Sequence, residues 1–276
     1  MNKKIVTFGE ILLRLTPSGC LKFSQSNSVC ATFGGSETNC AVSLAHLGAN
    51  SEFVTRVPDN DIAHSCIKDL SSHGVKTSNV IYGGERLGLY YFENTSSART
   101  AKVVYDRAHS SFCTMTPSTI DWSTVFQGAD WFHWSGIGPS LSMSAAETTL
   151  EALEIAEKMK LTISCDLNYR KNLWQYGKQP EDIMPALVSK CDVLFGTEGE
   201  YNKAFGVQPV GFTATSPDSQ LDIDAHLAFC REVMSKAPKC KYMFVALRNV
   251  INANKHVLTG LLYTAEGKLY TTRIHL

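Results

Sequence analysis

Net charge is the first thing this chain lacks. Its 26 Lys and Arg residues offset 26 Asp and Glu residues, so the formal charge at pH 7 is zero. That balance argues against a partner held by bulk electrostatics, such as a nucleic acid or a membrane surface. It leaves room for a local basic pocket. Long apolar runs are missing too: no stretch approaches the roughly 18 uninterrupted apolar residues of a membrane span. The nine cysteines, at 20, 30, 40, 66, 113, 165, 191, 230 and 240, show no Cys-x-x-Cys spacing. An odd, scattered set in a long chain predicts reduced thiols in a cytosolic protein, not a disulfide framework. No internal repeat is present. The start has two lysines and only a short apolar run, which reads as a first strand and not a signal peptide. That strand ends Gly9-Glu10-Ile11 without a G-x-G-x-x-G, which ranks a dinucleotide oxidoreductase low.

What is present is ordinary for a globular α/β protein: 276 residues, 44% hydrophobic and 19% charged. Apolar runs predict strands at 5–8, 52–57, 131–134, 161–165, 193–196 and 242–247. Amphipathic periodicity predicts helices at 40–47, 61–73, 144–160, 180–190 and 222–237. This alternation argues for a mainly parallel sheet with helices on both faces. Residues 11–15 and 21–32, joined by the turn Thr16-Pro17-Ser18-Gly19, read as extended. So do 88–94 and 102–106, joined by a polar tip at 95–100. Neither pair has a helix between its strands, so both fit a small β appendage. A last hairpin is expected at 260–263 and 268–275, and 208–220 reads as a surface loop.

The most informative stretch is Ser164-Cys165-Asp166-Leu167-Asn168-Tyr169-Arg170. A buried strand ends there in a carboxylate, an amide, a phenol and a guanidinium. In an open parallel sheet, ligands bind just beyond the carboxyl ends of strands. Asp166 beside Arg170 is expected to pair with it, stay ionised and be a poor proton acceptor. Gly34-Gly35 precedes a helix and allows close backbone approach to a ligand, though such a pair is more often a plain turn. Asn39, one turn later, points an amide at the same ligand or bonds within its own helix. Tyr105 and Arg107 share one strand face and together suit a carboxylate; the bland alternative is a surface ion pair. His109 reads as structural. Thr197-Glu198-Gly199-Glu200 suits Mg²⁺ beside phosphates, or is simply an acidic helix start. Arg248, at another strand end, faces a nucleotide phosphate or pairs with a surface acid. Each cluster is weak singly, but all fall at predicted strand ends, where one shared site would form.

These motifs together resemble the ribokinase-like (PfkB) carbohydrate kinases, and among them the 2-keto-3-deoxygluconate kinases. The residues that carry the resemblance are Phe33-Gly34-Gly35-Ser36-Glu37-Thr38-Asn39, Phe53-Val54-Thr55-Arg56-Val57, Val104-Tyr105-Asp106-Arg107-Ala108, Phe132-His133-Trp134-Ser135-Gly136-Ile137 and Asp166-Leu167-Asn168-Tyr169-Arg170. The resemblance implies a Rossmann-like kinase domain over 1–276 with a β lid at 11–32 and 88–106. It implies transfer of the ATP γ-phosphoryl group to a keto-deoxy sugar acid, with ATP and Mg²⁺ required. Gly34, Gly35, Asn39, Tyr90, Tyr105, Arg107 and Arg170 would bind the sugar acid. Asn168, Thr197 and Arg248 would bind the nucleotide, and Glu200 the metal. Thr197 stands where the family's N-x-x-E motif has Asn. A homo-oligomer formed through the lid is also expected.

The chain departs from the family in one larger respect. The G-A-G-D motif, whose Asp is the family's base and whose glycine N–H groups form its anion hole, does not occur in these 276 residues. The resemblance puts that Asp beyond Leu276, so no residue of this chain is assigned as the catalytic base. The expectation is that this chain alone is a poor catalyst with an uncovered sheet edge at 270–275, prone to aggregate. The alternative to a kinase is a non-catalytic sugar-acid binder or decayed fragment.

Overall fold

The computed structural model describes residues 3–94, 101–252 and 255–276. Its strands are β1 (Lys4–Phe8), β2 (Leu12–Pro17), β3 (Val29–Gly34), β4 (Asn50–Val54), β5 (Arg56–Val57), β6 (Ile81–Tyr82), β7 (Gly88–Glu93), β8 (Lys102–Asp106), β9 (Trp131–Ser135), β10 (Thr162–Asp166), β11 (Val193–Gly196), β12 (Tyr242–Asn252), β13 (Lys255–Thr264) and β14 (Leu269–Thr271). Its helices are α1 (Ser36–His46), α2 (Asp61–Ser72), α3 (Trp122–Val125), α4 (Ile137–Leu141), α5 (Met143–Lys158), α6 (Pro180–Val188), α7 (Glu198–Phe205) and α8 (Ile223–Lys236). The polar tip expected at 95–100 lies outside the described residues.

Eight strands form the large sheet in the order β14-β13-β12-β11-β10-β9-β1-β4. Pairing is parallel from β4 to β12 and antiparallel from β12 to β14. Register places Val6 beside Phe132, and Phe132 beside Ile163. These alternate residues are fully buried against one layer of helices, including Leu153 of α5, Val188 of α6 and Val233 of α8. Burying each such side chain contributes about 1.5–3 kcal/mol. The other face carries α1 at the β1–β4 end, so helices lie on both faces as expected. Side-chain caps start the helices: Asn60 accepts from the Ala63 N–H, Ser142 from Ala145 and Asp222 from Ala225.

The chain enters at β1, places β4 on one side of it, then crosses to β9 on the other. The carboxyl ends of β1 and β9 therefore flank a topological switch point, where a crevice opens.

A second sheet has the order β3-β2-β7-β8, with β2 and β7 parallel. The extended segments at 11–32 and 88–106 are thus joined into one sheet. Residues 21–32 are not extended throughout. A 3₁₀ turn at Phe23–Gln25 interrupts them, held by the Lys22 N–H on Gln25 Oε1 and the Phe23 N–H on Glu93 Oε1. Helix α1 starts four residues before the predicted one, at Ser36, because the helix includes the polar turn before its apolar stripe. The strand predicted to end at residue 247 runs on to Asn252, because β13 pairs along its whole length. Ladder hydrogen bonding there overrides the polar composition of 248–252. The last hairpin is shorter on its second side than expected. Strand β14 ends at Thr271, after which hydrogen bonds between Thr272 and Gly260 and a bridge between His275 and Leu258 hold the segment leading to the exposed Leu276. No described helix is long and apolar enough to cross a membrane.

Candidate active site

Two cavities meet at the switch point. One, of about 440 Å³, lies under the second sheet. The other, of about 770 Å³, lies along the large sheet. Ser36, Asn168 and Arg170 line both. Asn168 donates to Ser36 Oγ at 2.7 Å, tying the end of β10 to the start of α1 across 132 residues of sequence. Asn168 sits at φ 40°, a left-handed conformation that Asn tolerates better than most residues.

Arg107 lies just beyond β8 and is 7% exposed. Its Nε donates to Glu10 Oε2 at 2.8 Å, and its Nη2 reaches the same oxygen. Ser110 Oγ donates to Glu10 Oε1. The surface ion pair weighed as the bland reading does exist, but between Arg86 and Asp106 at 2.8 Å. Arg107 instead turns inward to a carboxylate at the end of β1. Its guanidinium lies 5.5 Å from the Tyr105 ring centre, and Tyr90 and Tyr105 stand 6.1 Å apart. Gly88 lets this pair form: a Cβ there would stand 2.6 Å from Glu10 Oε1.

Gly35 caps α1, where a Cβ would collide with the Glu10 carbonyl oxygen. Asn39 lines the cavity under the second sheet. Gly34 ends β3 beside it, near enough that an added Cβ would lie 3.4 Å from Asn39 Oδ1. Beneath them, Glu37 is 1% exposed and accepts from Ser135 Oγ. Its other oxygen, Oε2, has no hydrogen-bond partner among the described residues. Burial pushes this carboxyl up to about 7, against the smaller opposing effect of the Ser135 hydrogen bond.

Asp166 behaves differently from expectation. Burial, and then the Glu200 carboxylate, push it up to about 6; Arg170 opposes this only weakly. Arg170 lies nearer Glu200, with Nη1 at 3.9 Å from Oε1, and donates to the Tyr169 carbonyl. The Thr197–Glu200 segment is an N-cap. Thr197 Oγ1 accepts from the Glu200 N–H at 3.4 Å, and the Thr197 N–H donates to Glu200 Oε2 at 2.7 Å. The acidic helix start is therefore real, and Glu200 still lines the larger cavity with Asp166. Arg248 is not at a strand end. It sits within β12, exposed, and donates to His256 Nδ1 at 3.1 Å. It shares a strand face with Phe244 and Ala246, which line the larger cavity, but does not line that cavity itself.

On the floor of that cavity, Trp131 donates to Ser164 Oγ at 2.7 Å, and Ser164 Oγ lies 2.8 Å from His133 Nδ1. Burial pushes His133 down to about 4, so the ring is neutral at physiological pH. Phe195 and Phe244 stack nearby at 4.8 Å.

The structure thus gathers Gly35, Asn39, Tyr90, Tyr105, Arg107, Asn168 and Arg170 around the smaller cavity. Thr197 and Glu200 join the larger one. The carboxylates lining the two cavities are Glu10, Asp166 and Glu200. Sequence reasoning missed Glu10, Arg14 and Ser135 and gave Glu37 no role. Glu10 and Ser135 carried the strand-end signal used elsewhere. Arg14 carried period-two alternation with Leu12, which puts both on one face.

Among the described residues, no three His, Cys, Asp or Glu side chains gather as a metal cage. The Glu200 carboxylate raises the cost of charging Asp166, and a divalent cation with phosphate and water ligands would relieve this.

Comparison with known proteins agrees with this architecture. The chain is 34% identical to the 2-dehydro-3-deoxygluconokinase of Thermotoga maritima in its crystal structure, with a TM-score of 0.88 over 99% of this chain and 81% of that one. A PfkB family carbohydrate kinase from Listeria grayi gives 30% identity and a TM-score of 0.85, covering 99% of this chain and 80% of that chain. The 2-dehydro-3-deoxygalactonokinase of Haloferax volcanii is 33% identical over 72% of this chain, which spans 62% of that protein. Other curated relatives are matched over 50% of their length. Residues 2–225 match the pfkB family carbohydrate kinases as a group. With most of its length matched by that group and its whole architecture shared with these solved structures, the chain belongs to the pfkB family of carbohydrate kinases.

Proposed function

We propose that this protein is an ATP-dependent carbohydrate kinase whose acceptor is a keto-deoxy sugar acid of the 2-keto-3-deoxygluconate type. One observation carries the reading. Guanidinium groups of Arg107 and Arg170 and phenols of Tyr90 and Tyr105 converge on one cavity at the switch point. Charge-assisted contacts to a carboxylate are about twice as strong as neutral ones. A neutral ketose would offer this cluster of cations and phenols no carboxylate to engage. The names of the Thermotoga and Haloferax relatives support the same substrate class.

In this reading Gly34, Gly35 and Asn39 hold sugar hydroxyls, while Asn168 and Thr197 face the nucleotide; Arg248, bonded to His256 outside the larger cavity, has no part in it. Glu200, with Asp166 beside it, holds Mg²⁺. Bound Mg²⁺ supplies neutralisation of phosphate charge. The chain's own residues position the two substrates, which is most of what phosphoryl transfer asks of a protein. The second sheet covers the sugar as a lid. Its outer face presents Leu15, Val29, Tyr91 and Val104, with Val29 45% and Val104 48% exposed. Such a face and the open edges beside it favour pairing of two copies through the lid.

A second reading is a sugar-acid binder without transfer. Glu10 is the sole carboxylate lining the smaller cavity among the described residues, and Arg107 and Ser110 already occupy it. It is poorly placed to take a hydroxyl proton. Calorimetric titration with 2-keto-3-deoxygluconate and with ribose, beside an assay of ATP turnover, separates the readings. The acid is expected to bind at least tenfold more tightly. Turnover with the acid marks a kinase, and tight binding without turnover, both by this chain and by a version extended through a G-A-G-D turn, marks a binder. Equal affinity for the two sugars overturns both.

A further inference from the structure

The cavity under the second sheet is lined by three guanidinium groups, of Arg14, Arg107 and Arg170. Their surroundings differ. Arg107 is buried and already ion-paired: Glu10 takes both its Nε and its Nη2 on one oxygen. Arg170 has Glu200 within 3.9 Å and belongs as much to the larger cavity. Arg14 has no carboxylate partner among the described residues. Its Nε donates to Thr16 Oγ1 at 3.0 Å, and its guanidinium lies 4.5 Å from the Phe92 ring centre.

That holding arrangement has a directional consequence. An aromatic ring attracts a guanidinium through the face of its plane. The in-plane N–H groups remain free for other acceptors. Thr16 takes the Nε edge, which leaves the Nη edge unassigned. Two of the group's degrees of freedom are already restricted, so less entropy is lost when an anion docks. An unneutralised, pre-positioned guanidinium on a cavity wall attracts an incoming carboxylate more than one whose charge is already offset by a buried acid.

From this we infer that Arg14 is a specificity-determining residue, which reads the anionic group of the substrate from the second sheet. Phe92 and Thr16 are its positioning residues. The inference rests on the sugar-acid reading above and deepens it: acid selectivity is set from the covering sheet as well as from the large sheet. Arg107 then serves chiefly to orient hydroxyl or keto oxygens, with its charge held by Glu10.

The experiment is calorimetric titration of the full chain and its variants with 2-keto-3-deoxygluconate and with fructose, at two salt concentrations. Arg14→Gln is expected to weaken acid binding at least 30-fold, with a loss several-fold smaller for fructose. Arg14→Lys restores part of the acid affinity. Thr16→Val, at a residue that does not line the cavity, weakens acid binding three- to tenfold with Arg14 still present, which a purely structural role for Arg14 would not produce. The salt dependence of acid binding is expected to flatten in Arg14→Gln. Wild-type protein that binds acid and fructose alike overturns the substrate reading and this inference with it. Wild-type selectivity that survives intact in Arg14→Gln overturns the Arg14 assignment alone. So does an equal loss for the two sugars, which would mark Arg14 as a support of the sheet.

Discussion

Glu37 shows how one residue links stability to pH. The folded chain holds its proton up to about pH 7, whereas the usual value is 4.5. The folded state therefore binds that proton more tightly than the unfolded chain. The associated stability is full below pH 4.5 and is lost as pH rises to about 7, an effect of at most about 3 kcal/mol. Asp166, raised from 3.8 to about 6, adds a loss of the same sign over its own window. Glu37→Gln is expected to gain stability relative to wild type between pH 5 and pH 8. Urea melts at the two pH values check this, and a constant difference would show that Glu37 is ionised when buried. The Glu10–Arg107 pair matters through its shared burial. Glu10→Ala leaves a buried guanidinium without its acid and is expected to cost about 3–5 kcal/mol. The double variant Glu10→Gln with Arg107→Met is expected to cost less than Glu10→Ala alone, measured by the same melts.

At the scale of elements, the start of α7 decides how Glu200 is presented. The reciprocal bonds between Thr197 and Glu200 satisfy two backbone donors at the helix N-terminus. Thr197→Ala is expected to lower stability by about 1 kcal/mol. It also frees the Glu200 carboxylate from its side-chain partner, so ATP binding in the presence of Mg²⁺ should change in calorimetry. Thr197→Asn keeps the cap and is expected to leave stability within about 0.5 kcal/mol. A Thr197→Ala variant as stable as wild type would show that the cap adds nothing to the helix.

For the whole molecule, the second sheet raises the question of assembly. Its inner face lines the smaller cavity, and its outer face leaves Val29 and Val104 exposed. Tyr91→Glu together with Val104→Glu places charge on that outer face without touching the inner one. Light scattering at micromolar concentration is expected to show a dimer for the wild type and a monomer for this variant. A wild-type monomer would remove the lid from any role in assembly.

How much of this was legible in the chain follows from the physics of each feature. Local periodicity and turn chemistry were enough for the parallel sheet, the helices at 61–73 and 144–160, and the clustering of polar groups at strand ends. Those signals are carried by residues close in sequence. The extension of β12 to Asn252 was not legible, because the hydrogen bonds that hold Arg248 to Asn252 extended come from β13 and not from their own side chains. The partners of the charged groups were equally hidden. Asp166 and Arg170 are four residues apart and read as a pair, yet burial and Glu200 govern the first and Glu200 lies nearer the second. Arg107 meets Glu10 across 97 residues. Sequence by itself determined the class of fold and which chemical groups stand at its strand ends. Only the tertiary structure decided which of those groups are desolvated and which charges face one another, because both depend on distances between segments that the chain brings together only by folding.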